Sequence, residues 1–199
     1  MSKISTSRLG AAAALCCLSS AADAATPGGI EAADTGFMIA ATALVLMMTL
    51  PGLALFYAGM VRKKNLLATM AQSVAATALV SILWFAVAYS LAFTGEGEIV
   101  GGLSRVFGLG MGLDTTTPFA PTIPELLFMV YQMTFAVITC ALVGGAVADR
   151  MKFLAFVLFC VLWLFVVYVP SAHWVWGGGF LGTMGVLDFA GGKIGRAHV

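Results

Sequence analysis

The sequence predicts an all-α polytopic membrane helix bundle, with about four complete transmembrane helices, the start of a fifth, and an N-terminus outside. Three observations predict it. Hydrophobic residues make up 61% of the chain and charged residues only 10%, with a mean hydropathy of +1.02, a balance that a wholly water-facing surface does not accommodate. The few charges gather in short clusters, as they must if one charge at a bilayer centre costs about 3 kcal/mol. Between the clusters lie apolar stretches at least as long as the roughly 20 residues a span requires. A net charge of +1 leaves no basic surface for nucleic acid, so no nucleic-acid partner is expected. The four cysteines form no disulfide or metal spacing and read as small apolar fillers: Cys16 and Cys17 in the leader, Cys140 and Cys160 inside long apolar runs.

In chain order, residues 1–24 come first. Basic Lys3 and Arg8 precede a short apolar stretch and the small-residue pattern Ala22-Asp23-Ala24, which predicts a cleavable signal peptide cut after Ala24. Its apolar core is too short for a span. The first uncharged stretch runs from Thr35 to Val61 and ends at Arg62, Lys63 and Lys64. Pro51 and Gly52 near its middle are expected to bend it or free a carbonyl. The second runs from Asn65 to Gly95, before Glu96 and Glu98. The third, Leu126 to Ala148, carries Ala141, Gly144, Gly145 and Ala148 at a spacing that predicts close approach of helix backbones. The fourth starts at Phe153 and weakens near Pro170.

Orientation follows from loop charge, because short cytoplasmic loops retain lysine and arginine. The connections with Arg62, Lys63 and Lys64 and with Arg150 and Lys152 are basic, whereas Arg105 alone faces Glu96, Glu98, Asp114 and Glu125 in the segment between the second and third stretches. The first and third connections are therefore expected inside, in agreement with an exported leader. The Gly-, Thr- and Pro-rich segment 95–124 reads as an ordered external loop. Its GLGMG run from Gly108 lacks the strand and the Lys-Ser or Lys-Thr of a nucleotide-binding loop, so turn chemistry explains it better.

Chemistry concentrates in PSAHWVWGGGFLGTMGVLDFAGG, from Pro170 to Gly192. Trp174 and Trp176 stand beside Gly177, Gly178 and Gly179, and Asp188 opens the next apolar stretch. Two readings compete. An interfacial aromatic belt followed by a helix cap accounts for these residues without any ligand. A cation vestibule accounts for them as well, since an indole face attracts a small cation by about 1–2 kcal/mol and a nearby carboxylate raises its local concentration. His173 reads as a structural or interfacial residue.

The chain resembles the ammonium transporter family. The resemblance rests on PGLALFYAGMVRKKN from Pro51, SILWFAVAYSLAF from Ser81, YQMTFAVIT from Tyr131, GGAVADRMKF from Gly144, PSAHWVWGGG from Pro170 and LDFAGG from Leu187, in order between Asp34 and Gly192. It implies an N-terminal part of the transporter domain over residues 25–192. It also implies roles: Trp176 holds ammonium at the outer mouth by cation–π attraction, and Phe135 is one of two stacked gate phenylalanines. Tyr131 is an aromatic one helical turn from that gate, and Asp188 is a buried aspartate that shapes the vestibule. The implied mechanism binds ammonium outside, removes a proton near the gate, and passes ammonia along an apolar conduit that a bare ion enters only at high cost. The exported leader points most simply to a bacterial inner membrane, and the resemblance further implies a homotrimer and a PII-type signalling partner on the cytoplasmic face; no cofactor is expected.

The family has about eleven spans in two inverted halves, with pore histidines beyond the point reached here. Residues 193–199, KIGRAHV, do not continue the pattern, and 194–199 resemble one reading frame of a sequencing-library adapter. They are expected to be a non-native tail, His198 is not matched to a pore histidine, and the chain is expected to be a non-conducting leading fragment. Two alternatives stand: an ammonium sensor on the same fold, and a polypeptide that acts only by assembling with full-length subunits. An enzyme is not expected, because no paired acids, His-rich motif or nucleophile with its base lies within the spans.

Overall fold

The apolar stretches fold into four long helices in the computed structural model, which describes residues 29–95, 97–148 and 150–188. The leader 1–24, the tail 193–199 and nearly all of the expected fifth span lie outside the described residues. Helix α1 spans Ala32–Met60, α2 spans Lys63–Phe93 and α3 spans Glu125–Ala146. Helix α4 covers residues 153–175, and a single turn, α5 (Phe180–Thr183), follows it. All four long helices are apolar enough to cross a membrane, with mean hydropathies between 2.0 and 2.7. Large apolar side chains such as Phe37, Leu44, Phe56, Leu154, Leu158 and Leu162 point outward from α1 and α4, the arrangement a lipid or helix-facing surface requires.

Helix α2 is the hub, packing against α1, α3 and α4. Its Trp84 is fully buried, donates its indole N–H to the Met129 carbonyl of α3 at 3.1 Å, and meets the rings of Tyr89, Phe93 and Tyr168 edge-on. Several hydroxyls are satisfied inside their own helices: Thr42, Thr69, Thr139 and Ser171 each donate to the carbonyl four residues earlier. That local bond is what makes threonine and serine tolerable in an apolar interior.

Each of α1, α2 and α4 contains one wide π-helical turn: Met48–Leu53, Trp84–Ala88 and Leu164–Tyr168. Pro51 sits within the first, so its missing N–H and ring are absorbed by the widened turn. Pro170 comes just after the third, and α4 continues through it to Val175. The apolar stretch weakens near Pro170, but the helix itself runs on past it, the inserted residue resetting the hydrogen-bond register ahead of the proline.

The small residues of α3 also behave differently from expectation. A Cβ at Gly144 would lie 3.2 Å from the Phe156 ring of α4, and one at Gly145 would overlap the Tyr57 ring of α1. These glycines admit aromatic side chains rather than whole backbones. Tyr57 completes its contact by donating to the Leu142 carbonyl at 3.3 Å.

The segment between α2 and α3 is ordered by specific bonds. Ser90 donates to Gly102 at 2.9 Å and accepts from the Arg105 amide at 3.0 Å, while the Gly101 amide donates to Leu91 at 2.7 Å. Within GLGMG, Gly108 and Gly110 adopt φ of 71° and 72°, which is turn geometry.

Candidate functional site

The C-terminal end of α4 is shaped by residues the chain supplies in immediate succession. His173 is fully buried, with Nδ1 2.9 Å from the Ala92 carbonyl and Nε2 2.7 Å from the Gly97 carbonyl. It braces α4 against the end of α2. The helix stops at Val175, and Trp176 begins a tight turn whose Gly177 lies so close to α2 that a Cβ there would run into the Ala92 carbonyl oxygen. Gly178 follows at φ 86°, a left-handed conformation that side chains disfavour. Successive glycines are thus required by the approach of α2 and by the turn. Trp174 points elsewhere: it donates to the Ile99 carbonyl at 2.8 Å and packs on Phe180.

The turn brings Trp176 back toward the chain that follows. Its indole N–H donates to the main-chain carbonyl of Asp188 at 2.9 Å, and the half-buried ring lies against the core that α2, α3 and α4 share. With the in-plane donor committed, what the ring can still offer a ligand is its π face, and accepting electron density through the N–H makes that face more attractive to a cation.

Tyr131 and Phe135 form a second pair. They sit one turn apart on α3 with ring centroids 5.0 Å apart and planes at 85°, an edge-to-face contact. Phe135 packs against the same core as Trp176. Tyr131 also lines a cavity of about 280 Å³ between α1 and α3, together with Asp34, Phe37 and Phe128. The four candidate residues therefore fall into two pairs, Trp176 with Asp188 and Tyr131 with Phe135, with one shared core behind Trp176 and Phe135. Among the described residues no group of His, Cys, Asp and Glu is arranged to hold a metal ion.

The sequence did not reveal one polar cluster nearby. Glu125, at the start of α3, is buried, with Oε1 3.1 Å from Arg105 Nε and accepting the Tyr89 hydroxyl at 3.3 Å. An acid directly after Pro124 signals a helix start, but its pairing with Arg105 depends on how the intervening loop folds.

The sequence profile described as Ammonium Transporter Family matches residues 36–197, most of the chain. The chain belongs to the ammonium transporter family. It is 52% identical over 165 residues to an ammonium transporter of Bacillus subtilis, covering 83% of this chain and 40% of that protein. A putative ammonium transporter of Methanothermobacter thermautotrophicus is 48% identical over 165 residues, with the same coverage. Among solved structures, Candida albicans Mep2 matches with a TM-score of 0.72 at 35% identity, over 82% of this chain and 36% of that one. The chain thus spans about two fifths of the length of these ammonium transporter relatives. The membrane bundle expected from apolar spans is the fold of that family, and these relatives are named as transporters rather than enzymes.

Proposed function

We propose that this chain contributes the outer cation-binding mouth and part of the gate of a protein that carries ammonium across a membrane. The observation that supports it most is the Trp176–Asp188 bond, which orients an indole at the end of a span with its N–H occupied. Ammonium held there by cation–π attraction loses about 1–2 kcal/mol less to dehydration than it would in an apolar funnel without the ring. Phe135, stiffened by Tyr131, forms the barrier below, where a proton must be shed before ammonia proceeds through apolar surroundings. Asp188 shapes the mouth through its main chain. Potassium, which can neither donate a hydrogen bond nor lose a proton, is rejected on chemistry rather than size.

In this reading the N-terminus and the α2–α3 loop face outside, the leader 1–24 is removed on export, and the basic α1–α2 and α3–α4 connections face the cytoplasm of a bacterial inner membrane. Full-length assembly is a homotrimer, and the cytoplasmic face is available to a PII-type protein. Equilibrium dialysis of radiolabelled methylammonium against the chain in nanodiscs tests the mouth. The wild type is expected to bind saturably, and Trp176→Leu to weaken that binding about tenfold, the factor that corresponds to one cation–π contact. Equal binding by both proteins would overturn the assignment.

A further inference from the structure

A polar cavity beside Glu125 does not include Trp176 in its lining. It encloses about 430 Å³ between the end of α2 and the loop leading to α3, bordered by Phe93, Thr94, Arg105, Thr117, Phe119 and Glu125. Glu125 is 4% exposed. Its Oε1 serves both Arg105 and the Tyr89 hydroxyl, yet its Oε2 is buried with no hydrogen-bond partner among the described residues. A carboxylate oxygen left in that condition carries a desolvation penalty that a hydrogen-bond donor or a cation relieves. Glu125 borders the cavity, so a ligand held there lies beside its carboxyl group.

Charge and ring placement narrow what that ligand is. Arg105 meets Glu125 Oε1 through Nε and donates through Nη1 to the Leu109 and Gly110 carbonyls at 3.4 and 3.1 Å, and forms no bond to Oε2. Although Arg105 offsets Glu125, the segment 96–125 still carries Glu96, Glu98 and Asp114 without another basic residue, so its field favours a cation. Phe93 and Phe119, in edge-to-face contact at 5.9 Å, add aromatic surface, and the Thr94 and Thr117 side chains add oxygen acceptors. We infer that this cavity is a second binding site for a small cation bearing N–H donors, of the ammonium and methylammonium class, held by Glu125 Oε2 on the outer side of the bundle. The inference deepens the ammonium reading and rests on it for the choice of cation. The site would concentrate the cation near the mouth.

The dialysis in nanodiscs separates the two sites. With the full chain, methylammonium binding is expected to resolve into a Trp176-dependent and a Glu125-dependent component. Trp176→Leu keeps the second, and Glu125→Gln, which removes the charge, weakens it by at least about tenfold, the usual loss for one charge-assisted hydrogen bond. Because Glu125→Gln also breaks a buried ion pair and can unfold the chain, Thr116→Lys serves as an independent variant. Thr116 is exposed at the cavity edge, and a lysine there delivers a tethered ammonium that blocks the second component while leaving Arg105–Glu125 intact. Binding that disappears entirely in Trp176→Leu and is untouched by Thr116→Lys overturns the cavity site and leaves the mouth standing. Loss of the Glu125 component alone in Thr116→Lys supports it. Equal displacement of that component by sodium would overturn the N–H requirement, and no methylammonium binding in any variant overturns both readings.

Discussion

Gly145 shows how little latitude single positions have in this bundle. Any side chain there meets the Tyr57 ring, which is itself tied to Leu142. Gly145→Ala is therefore expected to force α1 and α3 apart and to lower stability by about 1–3 kcal/mol, read as a drop in thermal midpoint in detergent. Trp84→Phe removes a buried indole donor and leaves unfilled space beside the Met129 carbonyl; a loss of about 1–3 kcal/mol is expected in the same assay. At this scale the sequence was partly legible. Trp176 and Asp188 stand out as an aromatic and an acid beside glycines, but nothing in their types says that they meet through an indole N–H and a main-chain carbonyl. Glu125 and Arg105 were visible only as opposite charges in one loop, because their pairing depends on a loop path that turns on Gly108, Gly110 and the Ser90 bonds.

The helices themselves were the most legible part, since apolar runs bounded by charges leave few other ways to place backbone in lipid. Their ends moved by only a few residues: α1 begins at Ala32 rather than Thr35, and α3 begins at Glu125 rather than Leu126. What the pattern does not encode is the π-turn in each of three helices, because widening by one residue leaves composition unchanged. Pro51 and Pro170 hint at two of them, while Trp84–Ala88 has no proline at all. Pro51→Ala is accordingly expected to shift stability by under about 1 kcal/mol, far below the roughly 3 kcal/mol of a proline forced into a regular helix. A large stabilisation on removing Pro51 would mean that the π-turn does not accommodate it.

At the scale of the whole molecule, the chain has four membrane-length helices and its matched part spans about two fifths of the length of its ammonium transporter relatives. The orientation is testable without transport: a cysteine placed at Thr116 is expected to react with an impermeant maleimide from outside intact spheroplasts, and one at Lys63 only after the membrane is opened. Reversed labelling would overturn the assigned topology. The most direct test of the ammonium reading joins residues 36–188 of this chain to the remaining part of the Bacillus subtilis relative and expresses the chimera in cells without ammonium uptake of their own. Saturable methylammonium uptake, unaffected by excess potassium and reduced about tenfold by Trp176→Leu, is the predicted result. A chimera that reaches the membrane and takes up methylammonium equally well with and without Trp176 would contradict it.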